Sequence, residues 1–284
     1  MEKKATISLV ITTILWGLGF IFVDQALSAG WQPFPLLMMR GFIGGAFMFF
    51  LSFKKKWYKN KTTLTLGITN GVLFFLGFAF QTTGQELSSI PNTAFITTLN
   101  VLFVPFISRI FLKRHIQNKI YFAGILALLG TAVLSFNESL SFHTGDILLI
   151  LCALFFALQI IYNEKCGAHG DPLSITCIQL LTMGTLSLIC MPIFQQTTIP
   201  SNGWESVLYL ALFSSAIASL LQLYGQTHVE PSRASLILTM EAVIGTLAST
   251  IILSQPLEPS TILGGALMLS AVLIVEYKRP TFAT

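Results

Sequence analysis

The sequence predicts an all-α integral membrane protein: ten transmembrane helices arranged as two inverted five-helix repeats. Three observations lead there. Apolar residues make up 54% of the chain and charged residues 10%, with a mean hydropathy of +0.76. A soluble domain carries about 25% charged residues, so this chain has too little charge to cover a surface in water. Apolar runs recur at close to the ~20 residues that cross a bilayer core. The chain also repeats itself at an offset of 140 residues: Pro91 aligns with Pro231, Ala94 with Ala234, Ile96 with Leu236, Gly124 with Gly264, and Leu15-Trp16 with Phe155-Phe156. Residues 1–140 are read as the first repeat and 141–284 as the second.

The predicted spans are 5–23, 34–53, 64–84, 91–111, 119–136, 146–164, 172–193, 204–226, 233–254 and 260–277. The first follows Glu2-Lys3-Lys4 and looks like a signal peptide, but its run exceeds a 7–15-residue signal core and belongs to the repeat. Gly41 and Gly45 in the second span, and Gly67 and Gly71 in the third, have the four-residue spacing that lets helices approach closely, here within the chain rather than at a dimer face. Pro105 and Pro192 lie inside helical runs, where each removes a hydrogen bond and bends the helix.

Basic residues orient the threading. With the N-terminus inside, fifteen of the sixteen Lys and Arg fall in inner segments: Lys3 and Lys4; Lys54, Lys55, Lys56, Lys59 and Lys61; Arg109, Lys113, Arg114 and Lys119; Lys165; Arg233; Lys278 and Arg279. The outer connections hold none. Both termini are thus expected in the cytoplasm. Five spans per half is an odd number, so the second half enters the membrane upside down. Inverted repeats place a substrate site near the midplane, where the two copies meet.

Ionisable and amide groups inside lipid need a partner or a cavity. Glu241, in the ninth span, and Asn100, in the fourth, lie one register step apart on the repeat. Asn100 shares a three-to-four-spaced face with Asn92, Ile96, Phe103 and Ile107, and Glu241 shares one with Ile237, Ile244, Gly245 and Ala248. The candidate cavity is therefore drawn from Trp16, Arg40, Gln81, Asn100, Phe103, Ile237 and Glu241. Glu241 is the candidate proton carrier, because desolvation disfavours the charged form of a carboxyl. Arg40 is expected to pair with an acidic side chain such as Asp24 or Glu86, to snorkel outward, or to meet an anionic substrate group. Gln81-x-x-Gly84 and Gln222-x-x-Gly225 repeat at an offset of 141 and read as polar caps near headgroups or as two gates. Cys152, Cys166, Cys177 and Cys190 lack metal or disulfide spacing, and the four histidines lie in or beside loops, so neither a metal nor another cofactor is expected.

In these features the chain resembles the drug/metabolite transporter superfamily, in its EamA-like ten-helix branch. The likeness rests on Leu15-Trp16-Gly17 with Phe20, Arg40 after a Pro-bearing loop, Ala94-Phe95-Ile96-Thr97 leading into Val104-Pro105, Gly145-Asp146, and Leu263-Gly264-Gly265-Ala266. The chain departs where members often carry a Gly-Glu pair after the fourth and ninth spans, having Leu112-Lys113-Arg114 and Leu253-Ser254-Gln255. It also has Glu241-Ala242 where a Glu-Pro pair is common, which predicts a straighter ninth helix.

The resemblance implies secondary transport, with export of a small organic metabolite, amino acid or drug-like solute across a bacterial plasma membrane. The readings set against it are a membrane sensor or assembly partner and an intramembrane enzyme. The expected partners are that solute and the bilayer, without nucleic acid, in a monomer or homodimer; proton coupling through Glu241 and facilitated movement without a coupling ion fit the sequence equally well.

Overall fold

Long apolar runs in hydrocarbon must satisfy their own backbone groups, and the helix does so within one segment. The computed structural model describes residues 2–88, 90–134, 144–252 and 259–276, and in them every regular element is helical. In order these are α1 (Glu2–Ser28), α2 (Pro33–Ser52), α3 (Lys61–Glu86), α4 (Ile90–Thr97), α5 (Asn100–Ile110), α6 (Asn118–Leu134), α7 (Thr144–His169) and α8 (Pro172–Ile193). There follow α9 (Trp204–Tyr209), a π-helix (Leu210–Ile217), α10 (Ala218–Gln226), α11 (Pro231–Leu238), α12 (Met240–Ile252) and α13 (Pro259–Glu276). Seven helical stretches among the described residues are long and apolar enough to cross a membrane, and 118–133 and 262–275 are shorter apolar helices.

The starts of these helices follow from local chemistry. Pro33, Pro172 and Pro231 sit in the first turn, where a missing N–H costs nothing. The Asn60 side chain accepts from the Thr63 N–H at 3.1 Å, and the Asp171 side chain accepts from the Ser174 N–H at 2.9 Å, capping α3 and α8.

Two predicted spans are interrupted by a turn, while the eighth runs unbroken through α9, the π-helix and α10. The fourth divides into α4 and α5 at Thr98-Leu99, and the ninth into α11 and α12 at Thr239. Leu99 and Thr239 are repeat mates at the 140-residue offset. Here the expectation of a straighter ninth helix is corrected. The ladder tightens to i→i+3 bonds: the Leu99 N–H donates to the Ile96 carbonyl, Val101 to Thr98, and Ala242 to Thr239, at 3.0–3.1 Å. Threonine hydroxyls reinforce both places, with Thr98 Oγ1 donating to the Ala94 carbonyl and Thr239 Oγ1 to the Leu236 carbonyl, each at 2.7 Å. Such back-bonding bends helices without proline.

The small-residue stripes pack within the chain. Gly41 and Gly45 of α2 face Gly184 and Leu181 of α8, and Gly67 and Gly71 of α3 face Ile178 and Thr182 of the same helix. The first helix of each half packs in the other half: α1 lies against α10 and α12, and α7 against α3 and α5. α6 and α13 pair with each other.

Three ion pairs join segments predicted to share one side: Lys55 with Asp171, Arg114 with Glu164, and Arg233 with Glu2. At the other end Trp31 Nε1 donates to the Asn202 carbonyl at 2.8 Å, and Ser88 Oγ donates to Asp146 Oδ1 at 2.8 Å. The bundle thus has a basic end and an end whose described connections lack Lys and Arg. The connections at 135–143 and 253–258, the side chain of Asn92, and Lys278 and Arg279 lie outside the described residues.

A Cβ at Gly41 would fall on the Gly184 backbone, which no side-chain rotation relieves. Gly41→Ala is expected to cost about 1–3 kcal/mol. Gly265→Ala meets its nearest neighbour, Val243, at 3.4 Å and is expected to be neutral or mildly stabilising. Thermal unfolding of the two purified variants in one detergent checks both.

Candidate functional site

The two helix divisions meet at a central cavity. Its wall contains Trp16, Gly19 and Phe20 of α1; Arg40 of α2; Phe78 and Gln81 of α3; and Asn100 at the start of α5. The other half contributes Phe156, Gln159 and Ile160 of α7; Ser214 of the π-helix; Gln222 of α10; Leu238 at the end of α11; and Glu241 in the first turn of α12. The open space is small, ≈ 30 Å³, or room for about two water molecules.

Gly17 sets the position of α12. Its Cα approaches so closely that an added Cβ would lie 2.7 Å from the Glu241 carbonyl oxygen and 2.8 Å from Ile244 Cβ. The neighbouring Trp16 turns the other way, and its Nε1 donates to the Ser214 carbonyl at 2.8 Å. Tyr209 OH donates to the Leu15 carbonyl at 3.1 Å. The Leu15-Trp16-Gly17 motif therefore has three jobs: a carbonyl for α9, an indole for the π-helix and a bare backbone for α12.

Arg40 is only 1% exposed. Its Nε donates to Ser215 Oγ at 3.0 Å, and its guanidinium carbon lies 4.4 Å from the centroid of the Phe78 ring. Nη2 makes a long contact to Ser214 Oγ at 3.5 Å, and Nη1 has no partner. The wider π-helical turn brings the adjacent Ser214 and Ser215 to one guanidinium; π-helices recur at functional sites. The expected pairing of Arg40 with Asp24 or Glu86 is corrected. Both acids are exposed near the ends of α1 and α3, and neither is among the ion pairs of the described residues.

Amides line the approach from the basic end. Gln159 of α7 and Gln222 of α10 exchange bonds in both directions, at 3.1 and 3.3 Å. One turn on, Asn163 Nδ2 donates to Gln226 Oε1. At the other end the mates of Gln222 and Gln226 are Gln81, in the cavity wall, and Gln85, whose Nε2 donates to the Phe20 carbonyl at 3.2 Å. Gln85, Gln222 and Gln226 are 5%, 1% and 1% exposed. The polar-cap reading is therefore corrected: these amides close helix seams inside the bundle.

Of the residues predicted for the cavity, Trp16, Arg40, Gln81, Asn100 and Glu241 stand in one wall. Phe103 and Ile237 do not. They pack in an apolar layer with Leu9, Val104, Ala157 and Leu238. Straight three-to-four spacing carried them into the predicted face; the turn at Thr239 breaks the register between Ile237 and Glu241, whereas Phe103 shares α5 with Asn100 and lies one turn further along, in the packed layer. Sequence reasoning missed Gln159 and Ser214 as wall residues. The available signal was an amide inside the sixth span and a Ser-Ser pair in the middle of the eighth.

The family model described as "EamA-like transporter family" matches the chain twice, over residues 3–136 and 143–277. Among similar proteins, an "Uncharacterized transporter" of Archaeoglobus fulgidus is 31% identical over 96% of this chain and 86% of its own length. The "Biotin transporter" of Escherichia coli is 24% identical over 95% of this chain and 92% of its own. The "S-adenosylmethionine uptake transporter" of Rickettsia felis is 22% identical over 78% and 76%. One crystal structure superposes with a TM-score of 0.82 over 97% of each chain at 16% identity, a likeness of fold.

Gly17→Ala is expected to push α12 off α1, lowering stability by about 1–3 kcal/mol. Unfolding temperature compared with Trp16→Phe, which keeps the close approach of α12, checks it. An equal loss in both would mean the motif acts through the indole.

Proposed function

This chain belongs to the EamA-like transporter family, and on that premise we propose that it is a secondary transporter. It moves a small organic solute across the plasma membrane by alternating access. One observation carries the reading: the cavity lies where two repeat-related spans are interrupted at matching positions, the arrangement in which inverted-repeat transporters bind solute near the midplane. Relatives named for biotin and S-adenosylmethionine, both small organic solutes, support the solute class.

In this proposal the two seams are the gates. The α7–α10 seam, with its two amide pairs, closes the path toward the basic end. The α1–α3 seam, with Gln85 on the Phe20 carbonyl, closes the opposite path. An open space of ≈ 30 Å³ is far below the ~300 Å³ of a small-molecule pocket, so binding requires one seam to part. The basic end faces the cytoplasm by the positive-inside rule, which puts Glu2 and both termini there. Glu241 is the proton-carrying group of the cycle. Export is the proposed direction, although the Rickettsia relative is named for uptake.

The test compares the culture medium of cells making wild type, Glu241→Gln or no protein, at equal membrane levels, by untargeted mass spectrometry. A compound enriched outside with wild type and lost with Glu241→Gln is expected. Depletion from the medium would reverse the direction and keep the transporter. Identical profiles in all three would sink the transport reading. Equal enrichment with both proteins would remove the proton role from Glu241.

A further inference from the structure

Arg40 carries a permanent charge, and its surroundings do not neutralise it. It is 1% exposed in the wall of a central cavity. Its partners are a serine hydroxyl, a long contact to a second serine and an aromatic face. These groups fix the plane of the guanidinium and weaken its desolvation penalty, but none is an anion. Glu241 stands in the same wall, yet the ion pairs of the described residues do not join the two. What remains is the Nη1 edge, a buried donor with no partner. A buried charge without a counter-ion is costly in a membrane interior and marks a site where an ion is received.

The rest of the wall limits the anion. Trp16, Phe20, Phe78, Phe156, Ile160 and Leu238 are apolar or aromatic surface, and the hydrogen-bonding groups near them are neutral amides and serines. One guanidinium balances one negative charge. A multiply charged phosphate would bring more negative charge than Arg40, the one Lys or Arg of this wall, can balance. A carboxylate matches the planar fork, and a hydrophobic body matches the aromatic wall.

We infer that the solute of this cavity is an organic monocarboxylate with an apolar body, its carboxylate seated on the Nη1 edge of Arg40. Ser215 and Phe78 position the guanidinium for it. The inference rests on the transport reading of the same cavity and narrows it to a chemical class.

The experiment uses the full-length protein in lipid nanodiscs and a small-molecule extract of the cells that make it. Half of the extract is methylated so that its carboxylates become esters. Compounds retained by wild type, Arg40→Lys and Arg40→Gln are identified by mass spectrometry. Wild type is expected to retain carboxylates from the untreated half and to lose them after methylation. Arg40→Gln is expected to retain roughly tenfold to hundredfold less, as for loss of a charge-assisted hydrogen bond. Arg40→Lys keeps the charge without the fork and falls between them. Because the methylation arm uses wild type alone, it stands even if Arg40→Gln folds poorly. Retention of neutral or cationic compounds unchanged by methylation overturns the inference and leaves the transporter intact. Retention of nothing by wild type overturns it as well, and the medium comparison then tells whether transport has failed with it.

Discussion

Hydrocarbon offers no hydrogen bonds, so a helix that must bend inside it cannot simply open. The structure obeys this at Thr98-Leu99 and at Thr239. In both places the backbone shortens its bonds to i→i+3 and lets a threonine hydroxyl take up a nearby carbonyl. The interruption is a change of pitch with little exposed backbone. Asn100 and Glu241, which follow the interruptions, stand in the cavity wall, while Ile237, which precedes the second, stays in the packed layer. Gly17 then lets α1 close over the second interruption, which holds the Glu241 backbone against the helix that carries Trp16. The cavity thus depends on how two spans economise on backbone polarity.

Much of this was legible in the sequence because the signals were strong and local. Span limits follow from runs of apolar residues ended by Lys, Asn, Asp or Pro, and the predicted spans agree with the helices to within a few residues. Side assignment followed from Lys and Arg, and the three ion pairs each join segments placed on the same side. The glycine stripes announced close packing, and the structure supplies α8 as the common partner. The pitch changes were hidden because Thr98 and Thr239 carry no proline or glycine nearby. Their mechanism is a side-chain bond that any threonine in a helix can make. The partner of Arg40 was hidden for another reason. Acidic residues were the obvious candidates, whereas its actual neighbours are two serines 174 and 175 residues away on a π-helix, a geometry without a sequence signature.

The two halves share a plan and differ in its execution. The Gln-x-x-Gly motif recurs, but the copies have different neighbours. Gln222 meets Gln159, and Gln226 meets Asn163. The mates of Gln159 and Asn163 in the first half are Gly19 and Val23, which offer no side-chain amide. One seam is therefore held by amide pairs, while at the other Gln85 reaches a main-chain carbonyl. The two seams thus differ in how they are bonded. In a buried amide pair each bond is modest while an unmade one is expensive.

The exchange of first helices between halves has a consequence for how the chain is made. α1 is made before the segments it packs on, and its polar side chains meet distant partners: Thr12 with the Ala218 carbonyl, 206 residues later, and Trp16 with the Ser214 carbonyl, 198 residues later. Until those segments are inserted, the Trp16 indole lacks its acceptor, the Thr12 hydroxyl keeps only the Ser8 carbonyl of its own helix, and Gly17 faces no α12. Such long-range closure is slow and leaves intermediates exposed. α1 therefore reaches its final contacts only as the second half enters the membrane, and its sequence must be tolerated in lipid with the indole unbonded and the Gly17 backbone uncovered while the intervening helices are made.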